Sequence, residues 1–162
     1  EPRYRDIKAS DPPVVTLEGG ISVKVIAGEI GRTKGPVRDI VVEPQYLDVT
    51  VPAKKSFEHL IKTGHTAFAY VIEGEGRFAP DAKEVVGPEQ VLLFGNGDRV
   101  DIRSGAMPLR FILVSGKPLG EPVAWGGPIV MNTQEELELA FEEYDNGTFL
   151  KHAKITREPG NR

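Results

Sequence analysis

The chain has 162 residues, 40% of them hydrophobic and 27% charged, which is the size and composition of one globular domain. The chain has 20 basic residues (Lys and Arg) and 24 acidic residues (Asp and Glu), which gives a net charge of −4. We therefore expect no direct nucleic-acid partner. The chain has no cysteine, which excludes disulfides and thiolate sites, and no apolar run long enough for a membrane span, so we expect no membrane partner.

Glycine and proline break the chain into short segments, because the 18 glycines and 13 prolines are spread along its whole length. This spacing favours many short strands over long helices. Residues 21–27 alternate and are rich in β-branched side chains, which predicts the first strand. The second predicted strand, residues 46–51, has one apolar and one more polar face: Leu47, Val49 and Val51 against Tyr46, Asp48 and Thr50.

The third predicted strand, residues 67–73, is nearly all apolar, so we expect both of its faces to be covered. Gly74-Glu75-Gly76 then predicts a turn, because glycine tolerates a positive φ. Three more strands are predicted at residues 90–94, 99–103 and 109–114, the first of them closed by a Gly-Asn-Gly-Asp turn. Short strands with Gly-rich turns favour an all-β sandwich or barrel, and a jelly roll fits best because it closes most strand edges.

One helix is predicted near the end of the chain. Thr133 and Glu136 form a capping box, and an apolar stripe follows at helical spacing until Asn146-Gly147 stops the helix. The stripe consists of Leu137, Ala140, Phe141 and Tyr144. We expect this stripe to pack on the protein's own barrel. If the stripe were exposed instead, it would be a contact for another protein. We predict a single domain over residues 1–150 and a flexible polar tail over residues 151–162.

Several stretches resemble a known family. Residues 52–76 (PAKKSFEHLIKTGHTAFAYVIEGEG) resemble the first conserved motif of cupins, and residues 95–98 (GNGD) resemble the turn of the second. Residues 1–4 (EPRY), 25–29 (VIAGE) and 127–133 (GPIVMNT) look like the C-terminal half of pirin. The similarity extends to about Phe149, and the chain is identified as a C-terminal cupin domain of the pirin family, with a double-stranded β-helix fold.

The resemblance implies a role within a larger protein. In the pirin family two cupin domains face one another, and the N-terminal one holds iron through three histidines and a glutamate. The family includes quercetin dioxygenases and nuclear transcriptional cofactors. We therefore expect a fragment or free-standing copy of the second half, and the start at Glu1 fits a fragment. Its partner would be an N-terminal cupin domain that carries the iron, and this chain would hold no cofactor.

Counting along the cupin motifs shows which residues stand at the metal-ligand positions. Ala53 takes the position of the first motif's glycine, which brings His59 to the first histidine position. The other three ligand positions fall on Ile61, Ala67 and Val100, none of which can ligate. A makeshift site of His59 and His65 is the alternative, but two imidazoles without a carboxylate would hold an ion weakly. We favour two loop histidines and no metal.

Arg110 is the one candidate for ligand binding. It lies inside an apolar predicted strand, so its side chain either extends outward to solvent or binds an anionic ligand in the barrel cavity. Asp48 and Thr50 share a strand face with Tyr46, and we favour a solvent-facing role for them. Ser104 and Ser115 lack a nearby His–Asp pattern, which disfavours a serine hydrolase.

Three functions remain open from the sequence. The favoured one is the structural, metal-free half of a bicupin whose other half is an iron-dependent dioxygenase of flavonols, so this chain alone would not be an enzyme. The second is a protein-binding regulatory module without catalysis. The third, a free-standing small-molecule cupin such as a sugar isomerase, is disfavoured by the missing ligands. We expect a cytoplasmic protein, or a nuclear one in a eukaryote.

Overall fold

The computed structural model describes residues 5–151 and divides into two compact units, Glu1–Pro118 and Leu119–Arg162. The assignment of residues 1–150 to one domain stays a prediction, and the predicted tail lies, apart from Lys151, outside the described residues. No helix in the described part of the chain is both long and apolar enough to cross a membrane.

From residue 5 onward, the first unit contains eleven strands and a short 3₁₀ turn, Glu18–Gly20. All six strands predicted from the sequence are present, with ends shifted by one or two residues. The strands are β1 Val14–Thr16, β2 Ser22–Ala27, β3 Glu29–Ile30, β4 Thr33–Lys34, β5 Gln45–Val51, β6 Ser56–Leu60, β7 Thr66–Glu73, β8 Gly76–Arg77, β9 Val91–Leu93, β10 Arg99–Ser104 and β11 Leu109–Gly116.

Two antiparallel sheets enclose the core of this unit. The larger has six strands in the order β1-β2-β5-β11-β7-β9, and the smaller has three in the order β6-β10-β8. Strands β3 and β4 form a separate hairpin. Apart from β1 and β2, neighbours in both main sheets are not consecutive strands, as in a jelly roll, and the predicted all-β class is confirmed.

Side chains alternate strictly along the central strands, which places every second residue in the core. In β11, Leu109, Phe111 and Leu113 are fully buried and the residues between them are not. Phe111 meets Phe57 of the smaller sheet and Phe78 edge-to-face, with ring centroids 6.0 and 5.6 Å apart. These rings fill the space between the sheets, so the interior is a packed core.

The turn after β7 requires glycine at its first position. Gly74 has a φ of 74°, and a Cβ there would lie 2.0 Å from the carbonyl oxygen of Pro108. The predicted turn is therefore set by both backbone conformation and close approach of the neighbouring chain.

The described part of the second unit, up to residue 151, contains a hairpin and one helix. Strands β12 (Ala124–Gly126) and β13 (Ile129–Met131) pair, and helix α1 spans Gln134–Asp145. The predicted capping box is confirmed, since Thr133 Oγ1 accepts from the Glu136 amide and the Glu136 carboxylate accepts from the Thr133 amide.

The apolar stripe of α1 packs on this hairpin, which the sequence did not predict. Leu137 and Ala140 are buried, and Leu137 and Phe141 lie against Gly126, where a Cβ would come within 3.3 and 3.0 Å of them. Tyr144 is exposed and meets Phe149 edge-to-face. Gly126 thus gives the helix room to approach the hairpin closely.

Candidate functional site

His59 lies on strand β6, in a row of side chains that point into the barrel. Phe57 is buried and His59 is half-buried, whereas Ser56, Glu58 and Leu60 between and beside them are exposed. The imidazole stacks on the Phe57 ring, with centroids 5.9 Å apart. The expectation that His59 lies in a loop is wrong, because the inward alternation of Phe57 and His59 continues the strand pattern.

His59 joins the two sheets through a hydrogen bond to Gln45 on β5. The distance from Nε2 to Gln45 Oε1 is 2.7 Å. An amide oxygen can only accept, so His59 Nε2 carries the hydrogen and donates it. Burial lowers the pKa of His59 and so favours the neutral imidazole, whose Nε2–H tautomer can donate this hydrogen bond. The imidazole therefore acts as a structural link here.

The other counted ligand positions lie at the same end of the barrel and carry apolar side chains. Val100 on β10 is directly opposite His59, and Ala67 on β7 is in one row with Ser115 and Gln45. Ile61, Ala67 and Val100 are all buried. The residues at these counted positions do not fit an iron ion, because the one imidazole is held by Gln45 and the other three side chains have no donor atoms.

The second histidine of the makeshift site is on a different kind of element. His65 lies in the turn between β6 and β7, where its amide donates to the carbonyl of Lys62. The pKa of Glu43 is lowered, mainly by the hydrogen bond and charge of Lys62, with a smaller attraction from His65. Within residues 5–151 no group of three or more His, Asp or Glu side chains is placed to hold a metal ion. His152 lies outside this range.

The sequence did not place two polar residues, Gln45 and Ser115, at this end of the barrel. Gln45 begins β5, one residue before the predicted strand, and Ser115 extends the inward row of β11. The Ser115 side chain is 2% exposed, and its Oγ has no hydrogen-bond partner among the described residues. The alternation of buried and exposed residues could have located both, because each continues the two-residue period of its strand. Ser115 forms no Ser–His pair among the described residues, since its Oγ has no partner there and His59 is bonded to Gln45.

Arg110 lies on the opposite, outer face of the six-stranded sheet. Its Nε and Nη2 donate to the two carboxylate oxygens of Asp48 at 3.0 and 2.8 Å, and Glu73 is 3.7 Å from Nη1. The hydrogen bond and charge of Asp48, with a smaller attraction from Glu73, raise the pKa of Arg110. Asp48 and Thr50 share this outer face, as favoured from the sequence.

Arg110 lines a shallow surface pocket of about 320 Å³ together with Lys24, Asp48 and Glu73. An anion entering this pocket would compete with Asp48 for the guanidinium, because the bidentate pair already uses two of its donors. Ligand binding by Arg110 stays a prediction, and the geometry restricts it to the outside of the barrel.

Comparison with known proteins identifies the family. The Pirin C-terminal cupin domain matches residues 46–150 of the chain. The chain belongs to the pirin family. Pirin-1 of Arabidopsis thaliana is 39% identical over 149 residues, covering 90% of this chain and 51% of the relative. A pirin-like protein of Caulobacter vibrioides is 37% identical, covering 91% of this chain and 52% of the relative.

The chain spans about half the length of these curated pirin relatives. A solved structure of quercetin 2,3-dioxygenase from Acinetobacter baumannii aligns with a TM-score of 0.82 at 26% identity, over 91% of this chain and 51% of that one. The match confirms the cupin fold that the resemblance implied. The matched region makes up about half of that solved chain.

Proposed function

We propose that this domain is the metal-free cupin half of a pirin-like protein and the structural partner of a metal-bearing N-terminal half. The observation that carries the proposal is the end of the barrel where ligands would be: Ile61, Ala67 and Val100 are buried and apolar, and His59 is held by Gln45. Buried apolar side chains and a structural hydrogen bond stabilise a barrel; they do not bind an ion.

The whole protein would then be an iron-dependent dioxygenase of flavonols such as quercetin. Support comes from the Acinetobacter baumannii quercetin 2,3-dioxygenase, which matches this chain over about half of its own length. In this proposal the iron and its ligands belong to the N-terminal half. This domain stabilises that half and shapes the cleft between them, in the cytoplasm or, in a eukaryote, the nucleus.

Iron content and oxygen consumption test the proposal. We expect the isolated 162-residue chain, purified after iron-supplemented expression, to hold far less than one iron per chain and to consume no oxygen with quercetin. A protein that also contains an N-terminal half should hold about one iron. Oxygen consumption by the isolated chain would overturn the proposal.

A matched pair of variants interprets any iron that the isolated chain retains. His59→Gln and His65→Gln each remove one imidazole, one on β6 and one in the following turn. If the chain binds about one iron and each single substitution abolishes that binding, the makeshift two-histidine site exists. Iron unaffected by either change would be nonspecific and would leave the proposal standing.

A regulatory, protein-binding module is the second candidate, and one observation favours it. Trp125 on β12 is 75% exposed and lies directly opposite the exposed Val130 on β13. Exposed aromatic side chains with apolar neighbours are typical of protein-binding surfaces. Oxygen consumption separates the candidates: a two-domain protein that holds iron but consumes no oxygen with any flavonol favours regulation.

A further inference from the structure

Two Asn-Gly pairs mark places where the chain turns. Asn96-Gly97 lies between β9 and β10, and Asn146-Gly147 directly follows the last residue of α1. Asn-Gly is also a reactive pair, because the backbone nitrogen after the asparagine can attack the side-chain amide and a following glycine has no Cβ to obstruct the attack. The structure places the two pairs in surroundings that differ in what this reaction requires.

The turn that holds Asn96, residues 95–98, is exposed and anchored only at its ends. The Phe94 amide donates to a carbonyl of β7, and the Asp98 carbonyl accepts from the amide of the residue after β6. The three residues between these anchors make no hydrogen bond to any residue in the described part of the chain. Neither the nitrogen of Gly97 nor the carboxamide of Asn96 is therefore held back from reaction by a hydrogen bond to those residues.

The Asn146-Gly147 pair is held by the end of the helix. Asn146 is the C-cap residue, with a helical φ of −82° and ψ of −3°, and its amide donates to the carbonyl of Glu142 at 3.0 Å. The Gly147 amide, which would supply the attacking nitrogen, donates to the carbonyl of Tyr144 at 3.1 Å. This nitrogen must lose its hydrogen bond before it can attack, and Asn146 must rotate out of its helical ψ before a ring can close.

We propose that Asn96 is a site of spontaneous deamidation, which converts it to aspartate and isoaspartate while Asn146 stays intact. The Gly97 nitrogen loses its proton and bonds to Asn96 Cγ, and the side-chain nitrogen leaves as ammonia, which gives a cyclic imide. Water then opens either carbonyl of the imide. Asparagine and water thus give an acidic residue and ammonia, with no oxidant or reductant. The proposal does not depend on the proposed function.

Both products alter the turn. Each adds a negative charge close to Asp98, in a chain whose net charge is −4. Isoaspartate also carries the backbone through the former side-chain carbon, which lengthens the turn by a methylene just before β10. Because Val100 of β10 is directly opposite His59, the altered turn leads into the end of the barrel that holds the histidine link.

Peptide mass spectrometry of the 162-residue chain kept in mildly alkaline buffer measures both asparagines in the same sample. We expect Asn96 to convert at least about 10-fold faster than Asn146, the factor that one ordinary hydrogen bond is worth in a rate. A protein-isoaspartate methyltransferase with labelled S-adenosylmethionine should detect the isoaspartate. In guanidinium chloride the helix end is lost, so the two rates should become similar.

Gly97→Ala and Gly95→Ala form a matched pair of variants on the two sides of Asn96. A Cβ at either position meets no atom within 4 Å, and neither glycine has a left-handed φ, so both variants should fold. Gly97→Ala places a methyl group beside the attacking nitrogen and should slow the conversion of Asn96 about 10-fold or more. Gly95→Ala leaves that nitrogen unchanged and should keep the rate. Circular dichroism checks that both variants are folded.

Each alternative result counts against the proposal. Equal conversion of the two asparagines in the folded chain would mean that the helix end gives no protection. If Asn96 converted only in guanidinium chloride, the folded turn would be unreactive. If Gly97→Ala left the rate unchanged, or Gly95→Ala lowered it equally, the Gly97 nitrogen would not be the attacking group. Any of these outcomes would overturn the assignment of Asn96.

Discussion

The two faces of the six-stranded sheet differ although the same strands form both. On β11, the inward residues Leu109, Phe111 and Leu113 are fully buried, while Arg110, Ile112 and Val114 between them face outward. The inward side is closed, since aromatic rings fill it and apolar residues stand at three of the ligand positions counted from the cupin motifs. The outward side combines the ion pair of Arg110 with exposed apolar side chains on β7 and β9. Inward residues should therefore contribute more to stability than outward ones.

The largest expected effect separates two neighbours on β11. Phe111→Ala should lower the free energy of unfolding by about 3–5 kcal/mol, because it leaves a cavity between the sheets. Ile112→Ala, one residue away but facing outward, should cost only about 1 kcal/mol since less apolar area is lost. Urea denaturation followed by circular dichroism measures both. Equal losses would contradict the division between the two faces.

A carboxylate at Ala67, the position that motif counting assigns to the glutamate, tests whether this end of the barrel is closed. Ala67→Glu should cost about 3 kcal/mol or more at neutral pH, because Ala67 is buried and no cation is provided for it. The cost should shrink at low pH, where the carboxyl is neutral. Thr66→Glu is the control, since Thr66 is exposed on the same strand. If the Ala67→Glu variant kept full stability and bound iron, this end of the barrel would be an open ligand site.

His59 should make the stability of the folded domain depend on pH. Burial lowers its pKa below the ordinary value of 6.5, so below that pH the unfolded chain takes up a proton that the folded chain resists. Stability should therefore fall as the pH drops from about 6.5 toward the folded-state pKa. His59→Gln should remove this dependence and cost about 1 kcal/mol at pH 7 through the lost hydrogen bond to Gln45.

His65→Gln serves as the comparison, because His65 lies in a turn outside the strand and has no bond to Gln45. Denaturation curves between pH 5 and about 8 decide the question. The interpretation of His59 as a buried structural link would be wrong if His59→Gln kept the pH dependence of the unsubstituted chain.

The smallest effect is expected on the outer face. Asp48→Ala should cost about 1 kcal/mol or less, because the Arg110 side chain it releases is 40% exposed and retains Glu73 nearby. A double-mutant cycle with Arg110→Ala measures the coupling between the two residues, which should weaken further in high salt. A coupling of several kcal/mol would mean that this pair is as important to stability as the core.

The sequence by itself determined the local structure. Alternation located the six main strands, glycines marked the turn at Gly74, and the capping box fixed the start of α1 at Gln134. These features depend on neighbouring residues and on backbone conformation, which a sequence records directly. Counting along the cupin motifs also picked out His59 and Val100, which the strand register places directly opposite one another.

Only the tertiary structure decided what these residues do. The bond from His59 to Gln45 spans two sheets, and β7 lies between β11 and β9 although β11 is distant from both in the chain. The sequence left two interpretations of Arg110, an outward side chain or an anion-binding one in the barrel cavity, and the register assigned it to the outer face. Partners and faces depend on long-range pairing of strands, and alternation alone shows that two faces exist without showing which one is covered.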